Sequence, residues 1–237
     1  SQIMDFHSEL IQGKLVQRYK RFLADVTFRD GIQRTVYCPN PGSMLGLIKK
    51  GNKVWLQRAG NSKAKYPYVW KLVELDSGIL VCIDTQLANK IVYEALLLRK
   101  IPGLKDYQEI VPEPKIEGGS RLDFLLNFKN KKPCFLEVKS ITLSRVSGLV
   151  EFPDSVTSRG VKHLKILKEL KLNGFRAIQL YLIQRTDASH FQIAKDIDEA
   201  YHQAFEDAKL VGVEVLVFRS DITKMGINLG TFKPLLL

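Results

Sequence analysis

The sequence contains few cysteines and no long apolar segment, and both absences exclude classes of protein. Only three cysteines, Cys38, Cys82 and Cys134, occur among 237 residues. This small, odd number excludes a miniprotein held together by disulfides, and unpaired thiols predict a reducing, cytoplasmic environment. No apolar run approaches the roughly 20 residues that a membrane-spanning helix needs, so we expect no membrane contact.

Acidic residues are also scarce relative to basic ones. The chain has 25 Asp+Glu against 36 Lys+Arg, a formal net charge of +11. A surplus of this size predicts a polyanionic partner, most often nucleic acid. Hydrophobic residues make up 45% and charged residues 26% of the chain, an ordinary globular composition that excludes a disordered tail protein.

The residue pattern changes near position 85, which predicts a first domain of residues 1–85 and a second of residues 86–237. Residues 1–85 have 13 basic and 7 acidic side chains (+6), against 23 and 18 (+5) in residues 86–237. The first domain is rich in β-branched and aromatic residues between turn dipeptides. This pattern predicts five strands, at residues 14–26, 33–38, 52–58, 69–75 and 78–84. Five short strands suit a small closed barrel of the OB type.

The second domain alternates helices and strands. A helix capped by Asp84 or Thr85 is followed by a three-stranded meander, and then by a helix, a strand, a helix and a last strand at residues 213–218. Helical spacing of the apolar residues places one face of each helix in a core. The order predicts a mixed sheet covered by helices on both faces, and therefore an α+β or mixed fold class.

Asp123, Glu137 and Lys139 are predicted to converge at one point of the meander. Glu137 and Lys139 are two residues apart on one strand, so their side chains share a face. Asn130 lies midway between Asp123 and Glu137 in sequence; in a hairpin centred there, the two acids oppose each other with Cβ atoms about 4.5–5.5 Å apart. Opposed carboxylates repel, and a bound Mg²⁺ or Mn²⁺ ion would relieve that repulsion.

This cluster predicts metal-dependent hydrolysis of a phosphodiester. A divalent metal polarises a phosphoryl oxygen and lowers the pKa of a bound water, and Lys139 would position that water or stabilise the transition-state charge. Glu94, on the preceding helix, is a candidate third metal ligand. The pattern Asp123, thirteen residues, then Glu137-Val138-Lys139 is the signature of the PD-(D/E)xK nuclease superfamily. A solvated Glu/Lys pair on an edge strand is the alternative from the motif alone.

Two groups of residues are candidates to contact nucleic acid. Arg159, Lys162 and His163 lie at i, i+3 and i+4 on one helix face; a solvated basic face is the alternative, and His163 is either a general base or a surface histidine. In the first domain, cations alternate with rings, as in proteins that stack bases at about 1–3 kcal/mol each. A barrel core is the alternative there, and Trp70 is assigned to it. The candidates are Arg18, Lys20, Arg21, Lys65, Tyr66 and Tyr68, with Asn40 and Ser43 from the loop at 38–44.

Six blocks of sequence resemble the sugar fermentation stimulation protein A family along nearly the whole chain. They occur in order, with compatible spacing, at residues 17–26, 38–44, 65–67, 121–124, 137–140 and 152–157. The resemblance implies an N-terminal OB-like β-barrel followed by an α/β restriction-endonuclease-like domain with a mixed sheet. It also implies non-specific DNA binding and a role in regulating sugar (maltose) metabolism. Two residues depart from the family pattern: Pro41 stands where Thr is expected, and Ser158 where an acid is expected.

Three functions are compatible with the sequence. The first is a DNA-binding protein with a Mg²⁺-dependent nuclease site, and the second is a DNA-binding regulator whose nuclease-like domain is only a scaffold. The third is an enzyme acting on a phosphorylated sugar or nucleotide, although the chain has no glycine-rich phosphate loop. A homodimer is expected by analogy with structure-selective nucleases of this superfamily.

Overall fold

The first part of the chain folds as a closed β-barrel in the computed structural model, which describes residues 3–6 and 9–234. Apart from the short N-terminal β1 (Ile3–Asp5), its strands are β2 (Ile11–Tyr19), β3 (Leu23–Phe28), β4 (Gln33–Tyr37), β5 (Lys53–Arg58), β6 (Tyr68–Glu74) and β7 (Leu80–Cys82). They pair in the order β4-β3-β2-β5-β6-β7, and a further pairing of β4 with β6 closes a ring of five strands. The predicted OB-like barrel is confirmed.

The five strands that form the closed ring are not the five strands that were predicted. Residues 14–26 were predicted as one strand, but they form β2 and β3, with a turn between them at Lys20 and Arg21. These two residues adopt φ of 50° and 64° without a glycine or asparagine, so the usual turn signal is absent. Conversely, the predicted strand at 78–84 contains β7, which pairs with β6 outside the closed ring.

The second part of the chain is built on a seven-stranded mixed sheet. Its order is β1-β16-β15-β13-β10-β9-β8, with β13 parallel to both β10 and β15 in the centre and antiparallel pairs towards both edges. The elements are α1 (Thr85–Leu97), β8 (Glu109–Pro112), β9 (Phe124–Asn127), β10 (Cys134–Ile141), β11 (Leu143–Val146), β12 (Leu149–Phe152), α2 (Ser158–Leu172), β13 (Arg176–Ile183), β14 (His190–Ile193), α3 (Glu199–Leu210), β15 (Glu214–Ile222) and β16 (Gly226–Pro234).

Helices cover both faces of this sheet, as the sequence predicts. Residues of α1 pack with one face in a single apolar cluster, and residues of α2 and α3 pack with the other. Aspartates begin two of the helices: Asp84 accepts a hydrogen bond from the backbone of Gln86, and Asp198 accepts one from Tyr201. Capping of this kind satisfies backbone N–H groups that the first helical turn leaves free.

Four strands of the second part were not predicted. β11, β12 and β14 form a separate three-stranded sheet, and β16 follows β15, which was expected to be the last strand. β11, β12 and β14 have four residues each, and an apolar pattern of that length does not distinguish a strand from a loop. β12 matters for the site because it carries Glu151 and Phe152 to the edge of the cleft described below.

The boundary between the two parts is crossed by β1. Helix α1 begins at Thr85, next to the predicted division at residue 85, but β1 pairs antiparallel with β16 in the large sheet. Residues 3–5 therefore belong structurally to the second part, although the prediction placed them with the barrel. Within the described part of the chain, no helix combines the length and the apolar character needed to cross a membrane.

Candidate metal and nucleic-acid site

The hairpin formed by β9 and β10 has the register that the sequence predicts. Leu126 pairs with Cys134, Leu125 with Phe135 and Phe124 with Leu136, so the pairing is centred on Asn130. The ladder ends at Phe124, and Asp123 is the residue just outside it. Its side chain instead reaches across to β10, where Oδ2 accepts a hydrogen bond of 2.7 Å from the backbone N–H of Val138. Asp123 is thus held beside Glu137.

Glu137 is a buried acid with an unsatisfied oxygen. Its exposure is 3%, and its Oε2 has no hydrogen-bond partner among the described residues. Burial, and then the neighbouring Asp123 carboxylate, raise the pKa of Glu137 to about 10, against the smaller opposing effect of Lys139 and Arg159. A buried carboxylate normally requires a cation or a full set of donors, so this oxygen is a candidate metal ligand.

Lys139 and His163 form a polar contact beside the two acids. The Lys139 Nζ lies 2.8 Å from His163 Nδ1, which lies 3.4 Å from Glu137 Oε2. Burial and the charges of Lys139 and Arg159 lower the pKa of His163 to about 4, so the imidazole is neutral at pH 7 and Nδ1 accepts a hydrogen bond from Lys139 Nζ. Burial also lowers the pKa of Lys139.

The position of His163 corrects the interpretation of this residue as a surface histidine. Its exposure is only 5%, whereas Arg159 and Lys162, from the first turns of the same helix, are exposed. All three were predicted to share one face of α2, and they do line a common hollow. Of the three, only His163 is in direct contact with the acidic pair, through Nδ1 at 3.4 Å from Glu137 Oε2. Sequence spacing could not separate these roles, because it does not say how deeply each position of a helix face is buried.

Asn89 of α1 is a site residue that the sequence analysis missed. Its Nδ2 donates a hydrogen bond of 2.6 Å to Asp123 Oδ1, so both oxygens of Asp123 are engaged. Glu94, the predicted third metal ligand on this helix, is exposed and does not line the cleft. Five residues along a helix turn a side chain about 140° away at 3.6 residues per turn. The prediction of Glu94 as a ligand was therefore wrong. The sequence signal for Asn89 was that it is polar, forms helices poorly and directly follows Ala88, which lies on the apolar face of α1.

The acidic pair lies in a cleft of about 340 Å³. α1, β10, β12 and α2 contribute most of its lining, and residues 40–42 of the barrel contribute one wall. Glu151, also on the wall, is buried but has its own partner, since Arg145 donates two hydrogen bonds of 2.8 Å to its two oxygens. Among the described residues there is no group of three or more His, Cys, Asp or Glu side chains placed to hold one metal. A metal here would have Asp123 and Glu137 as its side-chain ligands, which matches the small number of carboxylates typical of Mg²⁺ sites.

The barrel loop contacts the second domain rather than presenting free donors. Asn40 is 2% exposed; its Nδ2 donates to the Ile83 carbonyl and its Oδ1 accepts from the Gly42 N–H, both at 2.9 Å. Ser43 Oγ donates to the backbone carbonyl of Asp154 at 2.7 Å. The prediction that these two side chains contact nucleic acid is corrected: they fix the loop, because their polar atoms bond within the loop and to Ile83 and Asp154, far away in sequence.

Two of the predicted basic residues also hold this loop. The Arg18 Nη2 donates to the carbonyls of Asn40 and Gly42 at 2.7 and 2.8 Å. The guanidinium group of Arg21 donates to the carbonyl of Pro41. Three consecutive carbonyls are thus satisfied by two arginines, so the wall of the cleft has a defined position. Lys20, between them in sequence, is exposed at the β2–β3 turn.

The aromatic segment of the barrel is divided between surface and core. Trp70 is fully buried and donates from Nε1 to the Leu72 carbonyl, which confirms its assignment to the core. Tyr68 is half-buried, with its ring 4.9 Å from that of Phe28. Tyr66 precedes β6 in a loop, with the exposed Lys65 Nζ 5.5 Å from its ring. The predicted row of three rings along one strand is therefore wrong, because β6 begins only at Tyr68.

Comparisons with known proteins agree with this fold along the chain. Residues 16–83 match a family model described as "SfsA N-terminal OB domain", and residues 86–226 match one described as "Sugar fermentation stimulation protein RE domain". The chain is 46% identical over 231 residues to a sugar fermentation stimulation protein homolog of Ruegeria sp. TM1040, covering 98% of this chain and 100% of that protein. It is 45% identical over 227 residues to the homolog of Ruegeria pomeroyi, covering 96% and 99%.

A solved structure has the same fold. It is described as the structure of Pyrococcus furiosus SfsA in complex with Ca²⁺, with a TM-score of 0.86 and 24% sequence identity. The similarity covers 99% of this chain and 96% of that chain. At this level of identity the match supports the arrangement of the barrel and the restriction-endonuclease-like sheet.

Proposed function

The chain belongs to the sugar fermentation stimulation protein family, and we propose that it binds DNA and hydrolyses phosphodiester bonds at the Asp123–Glu137 pair with the help of a divalent metal. The observation that carries the proposal is the buried Glu137 Oε2, which has no hydrogen-bond partner among the described residues and lies beside a second carboxylate. A folded protein has little reason to keep such an oxygen unless a cation occupies the cleft.

Asp123 and Glu137 would hold the metal, and Mg²⁺ or Mn²⁺ suits a site with two carboxylates and open positions. The Pyrococcus furiosus relative is described as a complex with Ca²⁺, a divalent ion with the same preference for oxygen ligands. When bound, the metal supplies a polarised phosphoryl oxygen and a water of lowered pKa. Asn89 and the Val138 N–H orient the carboxylate of Asp123 through both of its oxygens.

Lys139 would stabilise the negative charge that develops on the reacting phosphate. Its ammonium group donates to the neutral His163, which leaves other N–H bonds for the substrate, because a lysine has three donors. Arg159 lies at the rim of the same cleft and adds a second cation on the path of the strand. Preorganised donors of this kind are worth about 10²–10³ in rate when one is removed.

DNA is the proposed polyanion because of the fold and the charge together. An OB-like barrel is a frequent platform for single strands, and the chain has a net charge of +11. Lys20, Lys65 and Tyr66 stay available on the barrel surface, whereas Arg18 and Arg21 are engaged in the loop. A contribution to the regulation of sugar metabolism, as the names of the relatives suggest, would follow from DNA binding. The predicted homodimer is tested by sedimentation of the free protein.

The experiment is a cleavage assay on single-stranded, duplex and branched DNA with Mg²⁺, Mn²⁺ or EDTA. We expect metal-dependent cleavage by the wild type and loss of at least about a hundredfold in Glu137→Gln and Lys139→Ala. DNA binding in EDTA should be retained by Glu137→Gln. If the wild type binds DNA but never cleaves it in a Glu137-dependent way, the catalytic part of the proposal is wrong and the protein is a DNA-binding regulator.

A further inference from the structure

Arg121 and Arg159 differ from the other arginines of the chain. Of the twelve arginines, ten donate a hydrogen bond to a protein oxygen or lie over an aromatic ring. All twelve lie in the described part of the chain, and there Arg121 and Arg159 have neither kind of partner. Both side chains are exposed. An unpaired guanidinium group is a ready donor for a phosphate, which it binds through two parallel hydrogen bonds.

These two arginines line the same hollow beside the acidic pair. We call it the basic hollow; it has a volume of about 420 Å³ and is lined by residues 118–121 and by Arg159, Lys162 and His163. Its lining, all of it described, includes three cations and no carboxylate. Like the two arginines, Lys162 has no ion pair among the described residues. Three cations without an ion pair in one hollow predict an anionic ligand.

The turn at Gly118 and Gly119 lines the basic hollow without filling it. Gly118 and Gly119 have φ of 91° and 85°, a conformation that favours glycine, and the turn is closed by a hydrogen bond of 2.8 Å from Ile116 N to Ser120 O. A Cβ added at either glycine would meet no atom within 4 Å. The two glycines therefore leave space next to the turn. Arg121 follows the turn directly and lies two residues before Asp123.

The basic hollow is continuous with the cleft. Arg159 and His163 line both. Arg121 and Asp123 are both less buried than Leu122 between them, so they lie on one side of the chain. Two residues of chain span at most about 7 Å, which is comparable to the separation of neighbouring phosphates in an extended single strand. A strand with one phosphate at the acidic pair would therefore bring an adjacent phosphate to the hollow.

We propose that the basic hollow binds the nucleic-acid phosphate adjacent to the one at the Asp123–Glu137 pair, with Arg121 as its principal ligand. The proposal rests on the proposed function, since the register of the strand is set by the reacting phosphate. The same chemistry would hold an internal phosphodiester or a terminal 5′-phosphate. The basic hollow thus sets the register in which the protein binds the nucleic-acid strand.

The test measures binding of a fluorescent single-stranded oligonucleotide in EDTA, where nothing is cleaved. Arg121→Gln and Lys162→Ala are expected to weaken binding roughly tenfold at low salt and to lower the salt slope by about 0.7, the value for one phosphate on a single strand. Lys132→Ala is the matched control. It removes an exposed lysine in the turn between β9 and β10, five residues before Glu137 and at the opposite end of β10 from Lys139, and should change binding less than twofold.

Neutral methylphosphonates placed singly along the oligonucleotide identify the phosphate. One position should weaken binding of the wild type and have no further effect on Arg121→Gln, while Lys132→Ala behaves as the wild type. A 5′-phosphate compared with a 5′-hydroxyl distinguishes a terminal from an internal ligand. If Arg121→Gln binds as the wild type does, or no methylphosphonate effect depends on Arg121, the hollow is not a phosphate site. This result is independent of cleavage, so a protein that binds in this way but does not cut would overturn only the proposed function.

Discussion

Replacing Glu137 by Gln should stabilise the metal-free protein. The folded state binds a proton at Glu137 tightly, because burial and Asp123 raise the pKa of this carboxyl from 4.5 to about 10. The unfolded state releases that proton near its ordinary pKa. Between the two values the folded state holds more protons than the unfolded state, so stability is full below pH 4.5 and falls as pH rises towards 10.

The magnitude follows from the distance between pH 7 and the unfolded pKa. At about 1.4 kcal/mol per unit, the 2.5 units between 4.5 and pH 7 cost the wild type about 3 kcal/mol. Gln is nearly isosteric with the protonated carboxyl and carries no such cost. Glu137→Gln should therefore raise the free energy of unfolding at pH 7 by about 3 kcal/mol in EDTA, with the two proteins converging near pH 4.5.

The assay is urea unfolding followed by tryptophan fluorescence from pH 5 to 9 in EDTA. Glu169→Gln, which changes an exposed glutamate of α2, is the control and should differ from the wild type by less than about 0.5 kcal/mol. Mg²⁺ should stabilise the wild type and leave Glu137→Gln unchanged, since a ligand that binds only the folded state stabilises it. If Glu137→Gln is no more stable than the wild type at pH 7, or both show the same pH slope, the electrostatic account of the site is refuted.

Two further predictions concern the neighbours of the acidic pair. His163→Leu removes the acceptor of Lys139 and should lower kcat about a hundredfold at unchanged KM, whereas His163→Asn, with an oxygen at the δ position, should retain most of it; equal loss in both variants would show that the contact does not position the lysine. Arg145→Leu leaves the buried Glu151 without its ion pair and should cost about 3 kcal/mol at pH 7 in urea unfolding. Because Arg145 lowers the pKa of Glu151, that cost should shrink as pH falls below 4.5, and a loss independent of pH would contradict this reasoning.

The sequence was most informative where structure depends on local pattern. The register of β9 and β10 could be predicted because a symmetric hairpin needs only the position of its turn, and this register places Asp123 beside Glu137. The faces of the helices followed from apolar spacing alone. The split of residues 14–26 into two strands was missed because the turn at Lys20 and Arg21 has a left-handed backbone without the residues that usually permit it.

The site was less predictable where it depends on packing between distant segments. Asn89 reaches Asp123 only because α1 packs on the face of the sheet beside β10, and no spacing along the chain reports this. The loop residue Ser43 resembled a phosphate donor until its partner was found 111 residues away. Glu94 was expected as a ligand on its chemistry, although its helical phase directs it to solvent. The chemical types of the side chains predicted the kind of site, but tertiary packing decided which residues belong to it.

The pairing of β1 with β16 has a consequence for how the protein is made. Ile3 pairs with Asn228, so the ribosome synthesises one partner of this ladder more than two hundred residues before the other. The barrel strands lie entirely between them and can pair while the nascent chain is still growing. The cost of closing so long a loop rises only slowly with its length, but the partner must first exist. β1 must therefore wait for β16, and the large sheet acquires this edge strand only after β16 has been synthesised.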